Sequence, residues 1–77
     1  MWIRTQDGDL IDAIEFGMYY SVTDGRYLIR TNGKVIGTFT TCEQMSKVMK
    51  MIEDCIATQQ PYVLHIPDDV GEKNESV

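Results

Sequence analysis

The sequence holds little with which to perform chemistry. In 77 residues it has one histidine, His65, and two cysteines, Cys42 and Cys55, and no G-x-S-x-G elbow or equivalent that would present a nucleophile. His65 reads as a strand residue facing away from Leu64 and Ile66, and it pairs with a cysteine only if the fold brings the two together. The six glycines (Gly8, Gly17, Gly25, Gly33, Gly37 and Gly71) stand singly, so none gathers before a helix to cradle a phosphate. No apolar stretch approaches the roughly 18 residues of a membrane span, and no basic segment with an apolar run behind it marks a signal peptide near Met1. A reducing cytoplasm is the expected location, with no membrane contact.

Positive charge is also scarce. Seven Lys and Arg against twelve Asp and Glu leave a net charge of −5, which repels phosphate backbones and argues against direct nucleic-acid binding. Tyr19, Tyr20 and Tyr27 beside Arg26, Arg30 and Lys34 form the one candidate base-stacking face, but strands favour tyrosine for ordinary packing reasons. The same negative charge draws the chain toward basic surfaces, including the grooves of proteins that themselves bind nucleic acid.

What is present suits one small domain. Hydrophobic residues make up 43% of the chain and aromatics 9%, enough for a modest core. WIRT at the start reads as a strand near residues 1 to 6, ended by the Asp7-Gly8 turn signal. Leu10 to Phe16 fits a helix or a strand, and length favours the strand. MYYSVT, RYLIRT and KVIGTFT are then separated by Asp24-Gly25 and Asn32-Gly33, dipeptides that tolerate positive φ. This predicts a three-stranded meander over 18 to 23, 26 to 31 and 34 to 39, with Gly37 marking a bulge or a close backbone approach.

Thr40 or Thr41 caps the helix that follows, since Glu43 and Gln44 lie three residues beyond them at capping-box spacing. Met45, Val48, Met49, Ile52 and Ile56 form one apolar stripe running to about Thr58. Both cysteines then sit on this helix, about 20 Å apart and too far to bridge. Pro61 follows the helix, Tyr62 to Ile66 reads as a last strand, and residues 68 to 77 read as a disordered acidic tail. The expected architecture is α+β over residues 1 to 67: a curved antiparallel sheet of five or six short strands with one amphipathic helix across it.

The acids are the remaining candidates. Asp7, Asp9 and Asp12 begin like a calcium loop, but Ile11 and Met18 stand where the pattern needs its closing ligands, so a turn with a solvated acidic rim is the better reading and no metal or cofactor is expected. If the first and last strands are neighbours, Asp7, Asp9, Asp12 and Glu15 join Asp68, Asp69, Glu72 and Glu75 in one acidic patch. Tyr19 and Tyr20 beside it would supply contact area to a protein partner.

Three short stretches carry a resemblance: Trp2-Ile3-Arg4-x-Gln6-Asp7, Ile36-Gly37-x-Phe39-x-Thr41 leading into a helix with a Met-Val-Met-Ile stripe, and Val63-x-x-Ile66-Pro67-Asp68 before an acidic end. Together they resemble small uncharacterised proteins of phages and prophages of Gram-positive bacteria. The helix here opens Cys42-Glu43-Gln44-Met45 in place of the Lys- or Glu-rich start such proteins often have. The resemblance implies a non-enzymatic binder of a host protein, an inhibitor of the anti-CRISPR type with a CRISPR effector nuclease as the expected target. The alternative is a homo-oligomeric structural or accessory phage protein, such as a homodimer, with no host-defence target.

Overall fold

A computed structural model describes residues 1–69. Its elements are β1 (Trp2–Arg4), β2 (Leu10–Asp12), β3 (Gly17–Ser21), β4 (Arg26–Thr31), β5 (Lys34–Phe39), α1 (Cys42–Thr58) and β6 (Val63–His65). The fold is α+β, with the helix packed on β4 and β5.

The meander forms as its turn chemistry dictates. Asn32 and Gly33 take φ of 54° and 78°, the paired positive values of a type I′ turn, and Thr31 lies opposite Lys34. The Asp24-Gly25 turn is wider. The Gly25 N–H donates to Ser21 O at 2.8 Å, closing the loop at Ser21, so Val22 and Thr23 belong to the turn and not to the strand expected there. Between β4 and β5, Ile29 faces Gly37 while Arg30 faces Val35, which leaves Ile36 as the extra residue of a bulge. A methyl on Gly37 would stand 2.9 Å from Ile66 Cγ2, so this glycine also marks a close approach.

The strands divide into two three-stranded sheets, β2-β1-β6 and β3-β4-β5, in place of the single curved sheet read from the sequence. The reason lies at the seam. The β1–β2 turn meets β5 through one backbone bond, Gln6 N–H to Ile36 O at 3.0 Å, and through the Gln6 side chain, with no continuous ladder. β6 pairs parallel to β1, Trp2 facing Val63 and Arg4 facing His65, so the first and last strands are indeed neighbours. Only Leu10–Asp12 of the ambiguous stretch 10 to 16 forms a strand. Beyond it the Ile14 N–H donates to Asn32 Oδ1, and the Thr31 hydroxyl donates to Glu15 O, side-chain bonds that replace a ladder.

Thr41 is the helix cap. It is extended at φ −126° and ψ 149°, and its Oγ1 accepts the Gln44 N–H at 3.1 Å. The helix ends at Gln59 in the left-handed region, with its N–H on Cys55 O. Met45, Val48 and Ile52 are buried as the stripe requires, and Met49 is half-buried. The stripe's last member differs: Cys55 is buried while Ile56 is 54% exposed. Cys55 lies three residues beyond Ile52 on the same face, and the final turn of α1 carries Ile56 over a groove beside Trp2 and Tyr62. β1 and β6 contribute Ile3 and Leu64 to the core, the segment just after β6 contributes Ile66, and β4 and β5 contribute Ile29, Ile36 and Phe39.

Candidate interaction surface

The predicted site residues fall into separate groups. The Thr5–Asp9 turn, closed by Gly8 N–H to Thr5 O and by Thr5 N–H to Asp9 O, places Asp7 at its exposed tip. Because β1 and β6 run parallel, the segments following both strands emerge at one end of the sheet. Gln6 Nε2 donates to Pro67 O at 2.8 Å, and Asp7 and Asp68, the next residue of each segment, are both exposed. Both acids therefore stand at the same end of the sheet.

Asp9 lies on the same turn but is engaged by Lys34. The Lys34 ammonium, by hydrogen bond and by charge, holds its carboxyl below the ordinary value. Asp12 stands at the other end of the sheet, where β1 begins, and its Oδ1 is 3.0 Å from the Met1 α-amino group. The acids of the opening stretch are therefore spread apart, Asp9 toward Lys34 and Asp12 toward the Met1 amino group. Among the described residues, no group of three His, Cys, Asp or Glu side chains is placed to hold a metal ion.

Glu15 and Tyr19 line a shallow polar hollow of about 390 Å³ with Arg30 and Asn32. Arg30 stands over the Tyr19 ring, 5.7 Å from its centre, and its Nη2 donates to Gly33 O. Tyr20 sits on the opposite face of β3, with its ring 4.8 Å from that of Tyr27. Strand alternation separates the two tyrosines, so they cannot serve one flat surface.

Asp69 corrects the expectation most. It is buried, accepting the Thr40 N–H at 2.9 Å on Oδ2 and the Thr40 hydroxyl at 3.3 Å on Oδ1, with Arg26 at 3.6 Å. Asp69 is thus part of the folded domain and not of an exposed acidic tail, because the Thr40 N–H just before the helix needs an acceptor that no strand supplies. The rest of that expected tail, residues 70 to 77, lies outside the described residues.

The catalytic candidates stay apart. Leu64 and Ile66 are buried while His65 is exposed, as strand alternation predicts. The Cys55 thiol is buried and donates to Pro61 O, on the other side of β6 from His65. Cys42 is exposed at the start of α1, and both thiols are free. Among the described residues, no helix is long and apolar enough to cross a membrane.

Sequence reading missed Gln6 as a structural residue. Its Oε1 accepts the Thr38 N–H at 2.8 Å and its Nε2 donates to Thr38 O at 3.3 Å, so one side chain acts toward β5 as a strand residue would. Compared with protein-family models, curated proteins and solved structures, the chain matches none.

Proposed function

We propose that this domain is a non-enzymatic phage or prophage protein that binds and inhibits a host defence protein, in the manner of an anti-CRISPR protein. The observation that supports the reading is that exposed Asp7 and Asp68 lie in the segments leaving one end of the β2-β1-β6 sheet, on a chain of net charge −5. Such an end complements a basic groove of the kind a CRISPR effector nuclease uses for nucleic acid, and long-range attraction would speed encounter. The resemblance to small phage proteins supplies the class of target. In this reading Asp9, beside Lys34, and Asp12, at the far end of the sheet beside the Met1 amino group, contribute to the overall field.

Co-elution with purified effector nucleases at low and high salt tests the reading. Binding should weaken as salt rises, and the double reversal D7K/D68K should weaken it at least tenfold while D12K changes it little. Failure to bind any effector at low salt, or full inhibition by D7K/D68K, would overturn it.

A further inference from the structure

The β3-β4-β5 sheet has two outer edges, and the chain treats them differently. The edge of β5 is covered along its length: Lys34 by Asp9, Ile36 O by the Gln6 N–H, Thr38 by the Gln6 amide, and Thr40 by Asp69. Nothing among the described residues pairs with the outer edge of β3. An open edge is ordinarily blunted by charge, proline, a bulge or extreme shortness. β3, GMYYS, has five residues, no charge and no proline, and its register with β4 is unbroken. It exposes Met18, Tyr19 and Tyr20 by about half each and leads into Val22, which is 84% exposed.

We infer that β3 is the interface between two copies of this chain, paired edge to edge and antiparallel about a two-fold axis at Tyr19. The strand is self-complementary in this register. Met18 of one copy falls opposite Tyr20 of the other, and Gly17 opposite Ser21. Met18 faces Ile29 and Tyr20 faces Tyr27 within each copy. One face of the joined six-stranded sheet then carries a continuous row of methionine, tyrosine and isoleucine, with sulfur and ring contacts at the joint. On the other face the Tyr19 ring leans back over Gly17, where a methyl would lie 2.7 Å from Cε2. That lean draws the ring away from the axis and leaves room for its counterpart.

Two half-exposed tyrosines offer roughly 100 Å² each. With Met18, Val22 and the strand backbone, the joint buries roughly 1,000 Å² in total, the lower limit for a specific interface. An interface at that limit belongs with weak, transient contacts, so the dimer should form only at high concentration. Its salt dependence is distinctive. The two copies each carry −5 and repel at long range while the strand itself is neutral, so salt strengthens the dimer. Partner binding through the acidic end responds in the opposite sense, and either reading can fail while the other stands.

Sedimentation of the full chain from about 5 to about 500 µM tests the inference. The mass should rise from 8.8 kDa toward twice that value, at lower concentration in high salt. Tyr20→Lys should raise the dissociation constant at least tenfold, with its fold checked by far-UV circular dichroism. Amide exchange on the unaltered chain is the second measurement, since residues 17 to 21 should gain protection as concentration rises. A constant monomer mass, a dimer with unprotected β3 amides, or a folded Tyr20→Lys that still dimerises would overturn the inference. So would concentration-independent protection of β3 in a chain that sediments as a monomer.

Discussion

Gln6 joins the two sheets with one side chain. Its amide satisfies both backbone groups of Thr38 and the carbonyl of Pro67, and it is half-buried. Gln6→Ala would leave those groups at the seam without a protein partner, at a cost of about 1 to 3 kcal/mol. Urea unfolding would show this as a lower midpoint with an unchanged slope, and an unchanged midpoint would mean that water replaces the amide fully. This role was invisible in the sequence because Thr38 lies 32 positions away and Pro67 lies 61 away. The burial of Asp69, 29 positions from Thr40, was hidden for the same reason. A local reading marks both as polar surface residues. Asp9 gives a pH test at this scale. Lys34 depresses its carboxyl below the ordinary 3.8, so the stabilisation it adds is present above that value and lost as pH falls through the lower folded value. Lys34→Met should move the Asp9 titration, followed by NMR, up toward 3.8.

At the scale of elements, what was legible is what short-range chemistry decides. Asn32-Gly33 fixes a tight turn through two positive φ values, and the stripe of Met45, Val48 and Ile52 fixes which face of α1 is buried. Division into two sheets was not legible, since it depends on whether Gln6 and β5 form a ladder or a single contact. The choice between Thr40 and Thr41 as the cap was also undecided, because both precede a Glu or Gln at capping-box spacing. The structure separates their roles, and substitution should do so too. Thr41→Ala removes the acceptor of the Gln44 N–H and should cost about 1 kcal/mol. In Thr40→Ala the N–H still reaches Asp69 and only the longer hydroxyl contact at 3.3 Å is lost, so thermal unfolding should fall less than for Thr41→Ala. The reverse order would place the cap at Thr40.

The core of the described residues ignores the division between sheets, so they should unfold as one cooperative unit. Ile3 and Leu64 come from one sheet and Ile66 from just beyond it, Ile29, Ile36 and Phe39 come from the other, and Val48 and Ile52 from the helix, all buried in one cluster. Each three-stranded sheet buries its apolar face in this shared cluster, so loss of α1 would uncover both. Unfolding followed by Trp2, the sole tryptophan and a member of β1, should therefore coincide with unfolding followed by the helical signal in far-UV circular dichroism. A chain of 77 residues has roughly 4 to 12 kcal/mol of stability in all. Ile52, fully buried, costs about 3 to 4 kcal/mol when cut to alanine, a large share of that total. Ile52→Ala should lower both transitions together and by the same amount. If the Trp2 transition stayed in place while the helical one fell, the β2-β1-β6 sheet would be stable by itself and the single-core account would fail.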